Sequence, residues 1–269
     1  SDIQSIVKKA IVERLKTVYH VEWFPETGAE YPIRISFMKD EATVCLDTTG
    51  LSLHKRGYRT MVSKAPIKET LAAALILLTP FCGSGTIPIE AAMIAANMAP
   101  GANRSFTAEK WTNILGRKSW YQAVEEANDR MDVRIETDIQ GYDLDRDIIR
   151  AARQNAAAAG VDHLIHFQQR AVSELSHPGK YGFLISNPPY GERLEEKEHL
   201  PALYTEIGER FRGLDSWSMY LITGYEEAER HIGRKADKNR KIYNGMLKTY
   251  YYQFMGPRPP RMRQQERQG

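Results

Sequence analysis

The chain is 269 residues long, with 42% hydrophobic and 26% charged residues, which gives room for one large α/β domain and a smaller unit of ordinary globular composition. Its longest uninterrupted apolar run, Leu71 to Leu78, is far too short to cross a bilayer, and no signal-peptide pattern opens it, so no membrane partner is expected. The two cysteines, Cys45 and Cys82, give neither a metal-ligand spacing nor a disulfide framework; no metal is expected, and a reducing cytoplasmic location is.

Residues 3–19 place Ile3, Ile6, Val7, Ala10, Ile11, Leu15 and Val18 on one helical face. Ile33, Ile35 and Phe37 then alternate, Lys39 and Asp40 turn, and Val44 and Leu46 alternate again, the pattern of a hairpin. One helix and one hairpin bury too little to stand alone, so the chain is expected to begin inside a domain whose first part lies outside it. His54-Lys55-Arg56-Gly57-Tyr58-Arg59 follows as a basic linker, either a solvated charge run or, through Lys55, Arg56 and Arg59, a contact for a phosphate backbone.

From Lys64 onward, helix and strand signals alternate as in βαβ units. Pro66 starts a helix to about Leu78, and Pro88, as a first-turn proline, opens another through Ala99. Residues 100–137 contain one helical stretch, near Tyr121 to Met131. A short strand at Ile139 to Tyr142 precedes a helix from Arg146 to Ala159, stopped by Gly160. Strands follow near Ile165 to Gln168, Phe183 to Ser186 and Met219 to Thr223, and Tyr243-Asn-Gly245 with the aromatic run Leu247 to Phe254 reads as a closing hairpin. One junction is odd. The helix ending at Thr79 runs directly into Pro80, leaving nothing for the strand that a glycine-rich turn should terminate, which predicts residues missing between the two.

Three strand ends carry chemistry. Gly83-Ser-Gly85-Thr86 lies just before the helix of Pro88, where glycines let a ligand approach the backbone and a helix start offers unpaired N–H groups; the same residues also suit a plain tight turn. At Gly141-Tyr-Asp143-Leu-Asp145, Asp143 can accept both hydroxyls of a ribose while Asp145 caps the helix, or both can cap. The spacing 143 − 85 = 58 residues exceeds the roughly 20 of a compact dinucleotide unit, so an insertion over 100–137 must separate the strands. Asn187-Pro188-Pro189-Tyr190 ends the buried run Gly182 to Ser186. Two prolines remove two donors, leaving carbonyls and one amide as an acceptor-lined clamp for a planar group bearing N–H, with Tyr190 able to stack on its face. Nucleobase amines fit.

Charge is uneven. From Arg234 to the end, ten Lys/Arg oppose Asp237 and Glu266, so this segment carries 10 − 2 = +8 and the remainder 3 − 8 = −5. A basic end suits a polyanion, although a solvated tail over 258–269 would look the same.

The ordered set resembles a class I S-adenosylmethionine-dependent methyltransferase of the amino-methylating type. Pro80-Phe-Cys-Gly-Ser-Gly-Thr86, Asn187-Pro-Pro-Tyr-Gly-Glu-Arg-Leu194, Asn244-Gly-Met-Leu247 and Lys55-Arg-Gly-Tyr-Arg59 narrow it to the THUMP-domain RNA methyltransferases, in particular the bacterial 23S rRNA guanine-N2 enzymes. The resemblance implies an α/β fold, a Rossmann-like class I sheet with helices on both faces, preceded by part of an α+β THUMP RNA-binding module. The implied domains are 1–53 for the end of that module, 54–64 for a basic linker, 65–257 for the methyltransferase and 258–269 for a basic tail.

It also implies S-adenosyl-L-methionine as cofactor and RNA, 23S rRNA in particular, as partner. Phe81, Gly83, Gly85 and Thr86 would surround the methionine end, Asp143 would hold the ribose, Asn187 and Pro188 would face the target amine, and Tyr190 would stack on the base. Lys55, Arg56 and Arg59 become candidate RNA contacts, and Glu192 and Arg193 residues that order the loop. Two departures stand out: Thr79 replaces an acidic residue before the turn, and Arg170-Ala171 replaces the aspartate with which many relatives bind the cofactor's adenine. The competing readings are an N6-adenine methyltransferase on DNA or RNA, a non-catalytic RNA-binding protein on this scaffold, and a nicotinamide dehydrogenase, which the missing third glycine disfavours.

Overall fold

The computed structural model describes residues 2–59, 79–191, 194–244 and 246–258. The helix expected from Pro66, the pair Glu192 and Arg193, Gly245 and the tail past Arg258 lie outside the described residues. The chain divides into two compact units, residues 1–50 with 106–115, and residues 51–105 with 116–269.

The first unit holds the amphipathic helix α1 (Asp2–Tyr19) and a hairpin of β1 (Ile33–Met38) and β2 (Glu41–Leu46). Lys39 and Asp40 both take positive φ, 51° and 63°, the geometry that matches a two-residue turn to the twist of its strands. Trp111 is buried here, stacked on Tyr31 with ring centroids 5.0 Å apart, and its indole N–H donates to the Glu30 carbonyl at 2.7 Å. Part of the stretch read as an insertion between strands thus completes this unit's core.

In the second unit, β3 (Thr79–Pro80), β4 (Ile139–Asp143) and β5 (Ile165–Gln169) pair in parallel. β6 (Phe183–Ser186) pairs in parallel with β7 (Ser218–Thr223), and β9 (Leu247–Phe254) runs antiparallel between β7 and the edge strand β8 (Lys238–Asn244). The rows β5-β4-β3 and β6-β7-β9-β8 meet at β3 and β6, where the Ser186 hydroxyl donates to the Pro80 carbonyl at 2.5 Å. Thr79 pairs with Gly141 and Pro80 with Tyr142, so the strand that ends at the glycine turn is only two residues long.

Helices cover both faces. α2 (Thr86–Ala95) and α4 (Arg146–Ala159) bury Ile89, Met93, Ile149 and Ala152 against Ile139 and Phe167. On the other side, α5 (Leu194–Arg212) and the short α6 (Ala228–Ile232) bury Tyr204, Ile207, Phe211 and Ile232 against Leu184, Met219 and Leu221. The alternation that sends Leu184 to one layer and Ile185 to the other is the period of a strand buried on both faces. α3 (Arg117–Asp129) is a surface helix. Among the described residues no helix is long and apolar enough to cross a membrane. Helices on both faces of a sheet whose order reverses between β3 and β6 define the class I methyltransferase architecture.

Candidate active site

The crevice lies at the C-terminal ends of β3 and β6, where chain order reverses and open α/β sheets bind their ligands. β3 hands the chain to a turn that Cys82 anchors by donating its N–H to the Tyr142 carbonyl at 2.8 Å. Gly85 sits at φ 86° as the residue preceding α2, and a Cβ there would come within 3.1–3.2 Å of Phe167, Ala152 and Ile89. Only glycine meets both demands. A Cβ at Gly83, by contrast, would touch nothing described within 4 Å, so the turn opens onto space. Phe81, also at positive φ, packs toward the layer of α5.

Asp143 closes this side. Its carboxylate accepts from the Gly83 N–H at 3.1 Å and from the Asp145 N–H at 3.1 Å. Burial pushes its pKa above the usual carboxylate value, with these donors opposing. Asp145 is the helix cap, accepting from the N–H groups of Asp147 and Ile148 at 2.7 and 3.3 Å. The open turn beside a half-buried carboxylate suits a ligand carrying a ribose, so the residues present fit the expected cofactor. Cys82 is buried and its thiol is pushed well up by that burial, which suits packing rather than nucleophilic attack. In place of an adenine-binding aspartate, Arg170 sets its guanidinium 5.2 Å from the centre of the Tyr142 ring and donates its N–H to the Asp143 carbonyl at 2.9 Å.

Asn187 is half-buried and Pro188 buried at the end of β6. The Tyr190 hydroxyl donates to Asn187 Oδ1. Besides the stacking expected of its ring, Tyr190 thus uses its hydroxyl on one of the two lone pairs of the clamp oxygen, leaving the second for an incoming N–H.

Two supports went unread in the sequence. Tyr204 of α5 is fully buried; its hydroxyl donates to the Pro189 carbonyl at 3.2 Å and lies 2.5 Å from Thr223 Oγ1, which accepts from the Tyr225 N–H at 2.9 Å. Asn155 of α4, also fully buried, donates its amide to the Ser84 carbonyl at 3.0 Å and holds the glycine turn from behind. Its one signal was a carboxamide on an otherwise apolar stripe of Ile149, Ala152, Ala156 and Ala159.

Residues 54–59 of the segment read as a basic linker belong to the second unit. Arg56 is buried, with Nε 3.3 Å from Glu90 Oε1 and a bond to the Leu53 carbonyl at 3.1 Å, so the interior holds the charge that a surface phosphate contact would need. Tyr58 is buried too and donates to the same Glu90 at 3.2 Å. Arg59 reaches Thr86 Oγ1 at 2.6 Å. Of the three, Lys55 alone is exposed.

A Bacillus subtilis protein bearing the provisional name of RNA methyltransferase YpsC is 46% identical to this chain over 277 residues, covering 98% of this chain and 72% of that protein. Ribosomal RNA large subunit methyltransferase K/L of Syntrophotalea carbinolica is 37% identical over 274 residues, covering 92% of this chain but 38% of that protein. The solved structure of SMU.472, provisionally titled a methyltransferase and complexed with SAH, superposes with a TM-score of 0.88 at 43% identity, covering 96% of this chain and 71% of that one. The chain thus spans little more than a third of the K/L protein. Residues 56–253 match the UPF0020 family, described as the RMKL-like methyltransferase domain. The chain therefore belongs to the UPF0020 family of methyltransferase domains.

Proposed function

We propose that this protein transfers a methyl group from S-adenosylmethionine to the exocyclic amine of a nucleobase in RNA, guanine N2 of 23S rRNA in particular. The observation that carries the reading is the joining of two sites. Asn187 and Pro188 stand beside the cofactor turn because Ser186, the residue before Asn187, bonds the carbonyl of Pro80. The cofactor supplies an electrophilic methyl on a sulfonium. Asn187 Oδ1 and the Pro188 carbonyl accept the two N–H groups of the amine, whose lone pair would otherwise delocalise into the ring. Held so, the nitrogen would pyramidalise and offer its lone pair to the methyl carbon; as the N–C bond formed, the C–S bond would break to leave S-adenosylhomocysteine and the methylated amine would lose its surplus proton to solvent, so that catalysis comes from positioning and fixed dipoles. The base leaves its stack to enter, and the Tyr190 ring offsets part of that cost. Asp143 holds the ribose, and Phe81, Gly83, Gly85 and Thr86 the methionine end.

RNA as the polymer is supported by the names of YpsC and the K/L proteins. Under this reading residues 1 to about 53 are the end of a THUMP-like module, and the basic tail past Arg258 adds to the RNA contacts. The clamp serves adenine N6 equally well, which keeps that amine as the second reading. Incubation with labelled cofactor and either 23S rRNA fragments or duplex DNA, followed by nucleoside mass spectrometry, decides between them. N2-methylguanosine from the rRNA is expected. N6-methyladenine as the product would move the target, and no methylated nucleoside from either polymer would sink the reading.

A further inference from the structure

The hairpin of β8 and β9 carries an array of charge and rings that the crevice does not use. Lys241 stands directly across from Tyr250, and Tyr243 across from Lys248. Side chains two apart share a face, so all four project from one side of the hairpin. The Lys241 ammonium lies 5.3 Å from the centre of the Tyr243 ring, and the Lys248 ammonium 5.1 Å from that of Tyr250. Lys248 also reaches Glu226 at 3.7 Å. Tyr243 is 60% exposed and Met246, beside the tip, 98%.

This array borders the clamp. Tyr250 pairs with Thr223 at the end of β7. A Cβ placed on the next residue, Gly224, would lie 3.5 Å from the Lys248 carbonyl and 3.6 Å from Cδ2 of Tyr190. Edge strands often carry lysines that repel strand addition, and this accounts for Lys238, Arg240 and Lys241 on β8. It does not account for Lys248, which belongs to the inner strand β9, nor for Tyr243 and Met246, whose exposed apolar surface makes the edge stickier. Lysines alternating with exposed rings are the pattern of a surface that holds single-stranded nucleic acid, with ammonium groups on phosphates and rings on bases.

We propose that the face formed by Lys241, Tyr243, Lys248 and Tyr250 is an RNA-docking surface that grips the strand next to the target nucleotide. The two lysines bind consecutive phosphates, and Tyr243 stacks on a flanking base. The inference rests on the reading of RNA as substrate and names where that substrate is held.

Binding of a labelled 23S rRNA fragment is measured by fluorescence anisotropy over a salt series for the wild type, the double variant Lys241→Glu/Lys248→Glu, Tyr243→Ala and Lys118→Glu, with calorimetric titration of S-adenosylhomocysteine on each. The double variant is expected to lose at least tenfold in RNA affinity and to show a shallower salt dependence, by about 0.7 for each phosphate no longer held. Tyr243→Ala is expected to lose about fivefold or more with the salt slope unchanged, and Lys118→Glu, on the surface helix α3, to bind as wild type. All should keep wild-type affinity for S-adenosylhomocysteine. Wild-type RNA affinity and salt slope in the double variant overturn the hairpin surface alone. Failure of the wild type to bind the fragment overturns the RNA reading and this inference together.

Discussion

The backbone N–H of Gly83 donates to the carboxylate of Asp143 across 3.1 Å, so the glycine turn after β3 and the acidic end of β4 form one structure. The two signals lie 60 residues apart in the chain. Their union brings two ordinary motifs together at one end of the sheet.

Replacing Asp143 by Ala should weaken S-adenosylmethionine binding by about 10- to 150-fold, the equivalent of roughly 1.5–3 kcal/mol for hydrogen bonds to a charged group. Calorimetric titration measures it. Because burial raises the carboxyl's pKa in the folded state, its contribution to stability is greatest below the unfolded value and declines as pH rises through the raised one. Cofactor affinity should run the other way, falling as acid protonates the carboxylate at a higher pH than an exposed aspartate needs. Asp143→Asn should flatten both dependences.

Asn187→Ala should lower methyl transfer by about 10²–10³-fold, the range for loss of one preorganised hydrogen-bonding partner in a transition state. Cofactor affinity should stay within threefold of wild type. Single-turnover kinetics with saturating RNA separate the two quantities, and near wild-type rates would remove the clamp assignment.

At Tyr190 the ring and the hydroxyl can be told apart. Tyr190→Ala should cost about 5- to 150-fold in kcat/KM, as expected for removal of one base–aromatic stack of roughly 1–3 kcal/mol. Tyr190→Phe, which keeps the ring and gives up the hydroxyl with its bond to Asn187 Oδ1, should stay within a few fold. Equal losses in both variants would assign the work to the hydroxyl instead.

Tyr204 acts through the loop rather than on the substrate. Tyr204→Phe removes the donor to Pro189 and the partner of Thr223, at about 1–3 kcal/mol of stability. Denaturant unfolding reads that loss. A structural role alone predicts lowered stability with unchanged kcat in the folded enzyme; positioning of the clamp predicts a kcat lowered severalfold with cofactor affinity intact.

The joint of Arg56 and Glu90 is buried on both sides, with side-chain exposures of 9% and 2%. Glu90→Gln or Arg56→Met alone should destabilise by about 3–5 kcal/mol, because each takes the opposite charge away from a buried partner. The double replacement Arg56→Met/Glu90→Leu should recover much of that loss in urea unfolding.

Much of this was legible because local chemistry and global fold agree in particular places. Arg146 to Ala159 is a helix to the residue, since Asp145 caps its start and Gly160, at φ 76°, ends it. Phe183 to Ser186 and Leu247 to Phe254 are strands over the spans their apolar and aromatic runs indicate. α5 went unread because Pro201 interrupts a stretch whose apolar face is otherwise clear. The roles of Arg56, Tyr204 and Asn155 were hidden for a different reason. Each polar group finds its partner 15 to 71 residues away, and no periodicity records such a meeting. A run of Lys and Arg reads as surface until a buried carboxylate elsewhere claims one of them.

That carboxylate also ties down the chain ahead of β3. Arg56 and Tyr58 clasp α2 at Glu90, and Arg59 holds it again at Thr86, one position past Gly85. Cutting the polypeptide at residue 65 would strip this clasp from the helix and loosen its first turn. If the glycine turn seats the cofactor as proposed, the span needed to capture it starts upstream of Arg56, and whatever pulls on that strap pulls on the helix beneath the turn.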